Sequence, residues 1–201
     1  MSSSNKYFDL LIGAPRSGKS TFTVNLIKKY PQNVIIVKHT SNVNDATHAF
    51  LSEKTTENWR QGVPKSGYVK CKMAFQDKKS YLPFLDWVRH NYRNGLLIID
   101  DATIFERDRL TLQMTDIVSM RRHYGIDVML IYHGFTLCPI DQFVFVNNLI
   151  IFNTNDNIEY KKNKIPQYDR VEAARIKAKN NYAHTAAAIK FQPVRVNITS
   201  M

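Results

Sequence analysis

The run LLIGAPRSGKS, residues 10–20, restricts the possible folds of this chain more than any other stretch. Leu10, Leu11 and Ile12 predict a buried strand, and residues 21–29 are compatible with a helix. Between them Gly13, Gly18, Lys19 and Ser20 fit the spacing G-x-x-x-x-G-K-[ST]. Each residue type has a physical reason to stand there. Glycines let the backbone N–H groups curl around phosphate oxygens, and the following helix N-terminus adds partial positive charge. Gly13, Ala14, Pro15, Arg16, Ser17, Gly18, Lys19, Ser20 and Thr21 are therefore expected to cradle the phosphates of a nucleotide. Lys19 would neutralise the β- and γ-phosphates, and Ser20 would offer its hydroxyl to Mg²⁺. The strand before and the helix after separate this run from a chance glycine-rich turn.

Further short apolar runs at 8–12, 34–37, 96–99, 127–132 and 149–152 alternate with longer mixed segments. Continuous apolar strands with helical spacers predict an α/β fold, a mostly parallel sheet with helices on both faces, which together with the glycine loop resembles the P-loop NTPase (RecA/ASCE-like) fold. In 80–94, Leu82, Leu85, Val88 and Tyr92 recur at helical spacing, and Gly95 is expected as the C-cap. The aromatics there, Trp87 included, read as core rather than a platform for ligand. The polar, lysine-rich stretch 53–79 reads as an inserted hairpin or an exposed loop. Beyond 153 the chain turns basic, with an alanine-rich helix expected over 170–188 and an edge strand over 191–198. At 201 residues the length suits one domain. A core over about 7–156 would be followed by a basic C-terminal extension over about 157–201.

Twenty-eight Lys and Arg stand against seventeen Asp and Glu, a formal charge of +11. That surplus suits a polyanionic partner, nucleic acid above all, or an anionic membrane surface. Cys71 and Cys138 form no C-x-x-C, which argues against a zinc site or a disulfide framework and fits a reducing compartment. The start MSSSNKYFD lacks a basic region with an apolar core, and no apolar run is long enough to span a bilayer. A soluble intracellular protein is expected.

The second chemical signal is LLIIDD, residues 96–101. It reads as a buried strand ending in two carboxylates, at the end where open α/β sheets bind ligands. Asp100 would hold Mg²⁺, and Asp101 would orient or deprotonate the attacking water. A third strand, GIDVMLIYHG at 125–134, ends in His133. Its imidazole is either structural or a contact for the γ-phosphate and the attacking water.

The order of phosphate loop, strand with two acids, arginine-rich segment and polar-tipped strand resembles the FtsK–HerA superfamily of ring-forming P-loop ATPases. RRHYGIDVMLIYHG (121–134) resembles the segment in which an Arg and a Gly precede a strand ending in Gln, and PIDQFVFVNNLIIFNTND (139–156) is similar to the next helix and strand. Small size and the paired Asp look most like the genome-packaging ATPases of icosahedral viruses with internal membranes. The likeness covers roughly 7–156. Two positions depart from it: Asp101 where Glu is frequent, and His133 where Gln is usual.

The resemblance implies Mg²⁺-dependent ATP hydrolysis coupled to translocation of double-stranded DNA by a homo-oligomeric ring, a hexamer as in that superfamily. It implies an arginine acting on the neighbouring subunit's nucleotide, Arg121 or Arg122, with Arg107 and Arg109 as alternates. It further implies docking to a capsid or viral membrane protein, in the host cytoplasm and in association with the virion. DNA contacts are expected from Lys54, Arg60, Lys65, Lys70, Lys72, Lys78 and Lys79, with Trp59 and Tyr68 interleaved, and from Lys161, Lys162 and Lys164. Three rivals share the phosphate loop: a small phosphotransferase of nucleotide-kinase type, a nucleotide-binding switch or assembly protein, and a DNA-export ATPase. A kinase would carry an arginine-rich lid and a second nucleotide pocket, and a switch would lack a working second acid.

Overall fold

In the computed structural model, which describes residues 5–42, 49–54, 69–180 and 187–190, the apolar runs form adjacent strands of one sheet. In chain order the strands are β1 (Phe8–Ile12), β2 (Asn33–His39), β3 (Ser52–Lys54), β4 (Lys70–Phe75), β5 (Gly95–Ile99), β6 (Ile126–Tyr132), β7 (Asn148–Ile151) and β8 (Ala187–Lys190). The α-helices are α1 (Lys19–Lys29), α2 (Lys78–Asn91), α3 (Leu112–Tyr124) and α4 (Tyr168–Asn180). The sheet order is β3-β4-β2-β5-β6-β1-β7-β8. Every pairing is parallel except β7 with β8. The expected α/β architecture with a mostly parallel sheet is the one observed.

Side chains alternate across this sheet as the two-residue period of a strand requires. Leu11, Val34, Ile36, Leu96, Ile98, Met129 and Ile131 face α1, where Phe22, Leu26 and Ile27 meet them. Leu10, Ile12, Val37, Leu97, Ile99, Val128 and Leu130 face the other way, towards α2, α3 and α4. Both faces are covered, so the strands read as unbroken apolar runs. The aromatics of α2 belong to this core. Trp87 is buried, and Phe84 lies with its ring centroid 5.1 Å from that of Phe75. Among the described residues no helix is long and apolar enough to cross a membrane.

Parallel strands bring all their C-terminal ends to one edge. β6 lies between β1 and β5, with Ile12 opposite Tyr132 and Leu130 opposite Ile99, while Val37 of β2 is opposite Ile99. The residues that follow these strands therefore converge on one edge although they are far apart in sequence.

Three local expectations change. Within 53–79, residues 70–75 form β4, an inner parallel strand that buries Cys71, Met73 and Phe75, and β3 pairs with it in parallel rather than as a hairpin. Hydrophobic residues at every second position among lysines are what made this strand look like a loop. Gly95 is not a C-cap. Helix α2 ends at Asn91, Asn94 takes the left-handed turn with φ 54°, and Gly95 opens β5. A Cβ on Gly95 would lie 2.1 Å from the Tyr92 hydroxyl oxygen, which donates to the carbonyls of Asn33 and Leu96. The alanine-rich segment does not stay helical to 188, since α4 ends at Asn180 and Ala187–Lys190 is an antiparallel strand on β7. The strand expected at 191–198, like Trp59, Arg60, Lys65 and Tyr68, lies outside the described residues.

Glu106 is wholly buried between β5 and α3 and accepts hydrogen bonds from the backbone N–H and the hydroxyl of Thr111, the N-cap of α3. Burial pushes its carboxyl up to about 7 against the pull of these donors. The folded state therefore holds a proton there that the unfolded chain releases near pH 4.5, so stability falls as pH rises from about 4.5 to about 7 and levels off above. Glu106→Gln keeps the shape and removes the buried charge. Its unfolding free energy is expected to exceed the wild type's above neutral pH by on the order of 3 kcal/mol, with the gain absent in acid. Urea melts at the two pH values check this.

Candidate nucleotide site

The loop after β1 is held by the strand ends beside it. Gly13 N–H donates to the Tyr132 carbonyl at 3.2 Å, and Ala14 N–H to the Asn153 carbonyl at 2.8 Å. A side chain on Gly13 would collide with Phe152, whose Cβ lies 2.5 Å from the Cβ position. Gly18, with φ 101°, adopts a backbone that L side chains rarely take, and from it α1 begins. Helices α2 and α3 are closed at their N-termini by Asp77 and Thr111, whereas among the described residues no side chain caps α1. The first-turn N–H groups of α1 remain available to an anion, with the helix dipole behind them.

Around this end lies a cavity of about 400 Å³ lined by Pro15, Arg16, Gly18, Lys19, Ser20, Thr21, Lys38, Asp100, Asp101 and His133. The structure thus brings together most of the phosphate-loop residues expected from the sequence, both acids and His133. Lys19 is buried, its ammonium donating to the carbonyls of Gly13 at 2.6 Å and Ala14 at 2.7 Å. Burial pulls its pKa down to about 8, although Asp100 and Asp101 oppose the shift. Asp101 adopts left-handed backbone at φ 54° and ψ 53°, a conformation Asp tolerates, and a 3₁₀ turn (Ala102–Ile104) begins there. Burial holds its carboxyl above the usual range, while His133, with Nε2 at 3.7 Å, works the other way. Ser20 and Asp100 offer oxygen donors on one cavity. Among the described residues no three of His, Cys, Asp or Glu cluster to cage a metal. That donor set fits Mg²⁺, which is held by one or two carboxylates together with substrate phosphates.

Lys38 was not among the residues expected from the sequence. It stands on β2 after four apolar residues, 2% exposed, with its ammonium 3.6 Å from an Asp100 oxygen. A lysine at the C-terminal end of an otherwise apolar strand was the available signal. The next residue, His39, bonds to Ser41 and to the Gln76 carbonyl.

The loop carrying His133 is gripped from the far side by the segment after β7. Asp156 accepts the Phe135 N–H, and the buried ammonium of Lys161 donates to the carbonyls of Phe135 and Cys138. Lys161 is therefore a structural staple rather than a surface contact for DNA, while Lys162 and Lys164 are exposed. Lys70 likewise donates to the carbonyls of Ile27 and Lys28 at the end of α1.

The arginines lie elsewhere. Arg121 and Arg122 end α3, at the edge of the sheet opposite the cavity. Arg121 donates to the Lys6 and Val118 carbonyls and to Asn147, whereas Arg122 is exposed. Arg107 and Arg109 are exposed on the segment that follows the acids.

No family model matches the chain, and no curated protein matches it. Solved structures do. The genome packaging NTPase of Sulfolobus turreted icosahedral virus 2 in complex with ATPγS has a TM-score of 0.68 at 18% identity, covering 94% of this chain and 93% of that one. Its complex with AMP gives 0.70 at 17% identity, with 94% of each chain covered. The N-terminal domain of zonular occludens toxin from Neisseria meningitidis gives 0.53 at 16% identity, covering 94% and 95%. These structural neighbours are of the kind the sequence resemblance named. At such identities the likeness establishes the fold, that of an α/β P-loop NTPase.

Two outcomes are expected of this geometry. Lys19 in the nucleotide-free protein loses its proton as pH rises through about 8. ATP affinity, read by calorimetry, should therefore fall by roughly tenfold between neutral pH and about pH 9, a loss of one charge-assisted contact. Gly134 is extended at φ −176°, but a Cβ there would lie 2.2 Å from an Asp156 oxygen. Gly134→Ala should destabilise by about 1–3 kcal/mol through the displaced Asp156–Phe135 bond. Asp156→Ala added to it should cost little more, because both changes break the same contact.

Proposed function

We propose that the chain is an ATP-hydrolysing motor that moves double-stranded DNA, a viral genome-packaging ATPase working as a homo-oligomeric ring, hexameric in form. The observation that carries the reading is the cavity itself. An uncapped helix N-terminus and Lys19 face two strand-end carboxylates across about 400 Å³. The likeness of the fold to a packaging NTPase in complex with ATPγS supports the same reading.

In this mechanism the α1 N–H groups and Lys19 hold the β- and γ-phosphates, and Lys19 exchanges its bonds to the Gly13 and Ala14 carbonyls for phosphate oxygens. Ser20 and Asp100 would hold Mg²⁺, which would supply charge neutralisation to the phosphates. Asp101, fixed by its turn and raised by burial, orients the attacking water and accepts a proton from it. His133 contacts Asp101 and follows the state of the terminal phosphate. Arg122 of a neighbouring copy supplies charge in trans, with Arg107 and Arg109 as alternates, so turnover requires assembly. Arg121 holds the end of α3 in place. Exposed Lys78, Lys79, Lys162 and Lys164 meet the DNA backbone by charge rather than sequence. Docking is to a capsid or viral membrane protein, in the host cytoplasm and on the virion.

The test is steady-state phosphate release with and without duplex DNA, over a range of protein concentrations, for wild type and Asp101→Ala. DNA-stimulated turnover that rises more than linearly with concentration is expected, with the variant lower by about 10²–10³-fold. Turnover indifferent to DNA, or phosphate appearing on a nucleotide acceptor, would replace the motor with a phosphotransferase.

A further inference from the structure

We propose that Lys38 is a ligand of the terminal phosphate, a second cation that β2 contributes to the nucleotide cavity and that makes the site prefer a nucleoside triphosphate to a diphosphate. The inference rests on the nucleotide-hydrolysing reading above and adds a residue which that mechanism does not use.

The first argument is placement. The strand order β1-β6-β5-β2 puts the phosphate loop and Lys19 beyond β1, the acid pair at the end of β5, and Lys38 at the end of β2. Lys19 and Lys38 therefore flank Asp100 and Asp101 from opposite sides of one cavity. A nucleotide whose β-phosphate rests on the α1 N-terminus extends its terminal phosphate away from β1, towards the acids and Lys38. Lys38 stands beyond the acid pair as seen from the loop, on the side of the terminal phosphate, whereas Lys19 belongs to the loop itself.

The second argument is charge. The cavity lining holds three cations, Arg16, Lys19 and Lys38, against the carboxylates of Asp100 and Asp101. Without Lys38 the formal charges of the lining cancel, and a polyanion would enter a neutral site. Lys38 leaves it positive. The third argument is burial. At 2% exposure, an ammonium at the end of a strand whose preceding four residues are apolar loses most of its hydration. That is unfavourable unless charged groups face it. Asp100 faces it at 3.6 Å, longer than a charge-assisted hydrogen bond of about 2.7–2.9 Å. The ammonium and the Asp100 carboxylate face each other where both line the cavity.

In hydrolysis the water oxygen bonds to the γ-phosphorus, the bond from that phosphorus to the bridging oxygen breaks, and ADP leaves. The water's proton departs through Asp101 or on the released phosphate. Lys38 gives and takes no proton. It donates hydrogen bonds to the γ-phosphoryl oxygens, where charge is concentrated in the transition state.

The experiment measures binding of ADP and of the unhydrolysed analogue AMPPCP by calorimetry for wild type, Lys38→Met, Lys38→Arg and Lys19→Ala. Each is run with Mg²⁺ and with chelator, alongside thermal melts and phosphate release. For Lys38→Met we expect AMPPCP affinity lower by roughly tenfold or more, ADP affinity unchanged, turnover lower by about 10²-fold, and partial recovery in Lys38→Arg. Equal losses for ADP and AMPPCP would overturn the inference, as would no loss for either. A changed Mg²⁺ requirement with an unchanged ATP-to-ADP preference would also overturn it, reducing Lys38 to a counter-charge for Asp100. Lys19→Ala separates the two levels of the argument. If wild type binds neither nucleotide and Lys19→Ala is identical to it, the nucleotide reading itself fails. If wild type binds both and only Lys38→Met is silent, that reading stands and the inference falls.

Discussion

The parallel hydrogen-bonded ladder β2-β5-β6-β1 is the constraint on which the rest of the molecule depends. Because these strands run the same way in fixed register, Lys38, Asp100, His133 and the phosphate loop share one edge although they span well over a hundred positions in the chain. A slip of one residue in any pairing would turn the apolar face of that strand to the wrong side. It would also move its terminal charge out of the cavity. Core packing and site assembly are therefore enforced by the same register.

That edge is where the fold accepts charge it would not tolerate elsewhere. Lys19, Lys38 and Asp101 lose hydration there, and each is balanced by a charge of opposite sign or by backbone carbonyls within a few ångströms. Positive φ values at Arg16, Gly18 and Asp101 fall around the same cavity. Strain and buried charge gathered in one place are the marks of a pre-organised binding site. Other buried polar groups such as Lys161 serve the fold: they are tied to backbone carbonyls, and their charge is spent in holding loops.

Asp156 and Lys161 give the C-terminal part of the chain a physical link to the chemistry. Both hold the residues just after His133, and the helix α4 that follows them packs Val171 and Ala178 into the same core as β6.

The sequence by itself determined the glycine loop before α1, the acid-tipped strand and the parallel architecture. All three are local patterns whose spacing is dictated by backbone geometry: a glycine turn before a helix, and apolar runs of strand length. Tertiary structure alone decided which charges serve the site. Lys38 and Lys161 are both lysines, yet one is turned into the cavity and the other into the core, because burial depends on what neighbouring strands and loops place around a side chain. Only the fold could separate Arg121, fastened to Lys6 and Asn147, from the exposed Arg122 beside it. It alone recognised β4 among lysines. An alternating strand shows its period only when a sheet supplies the apolar face for half of its residues.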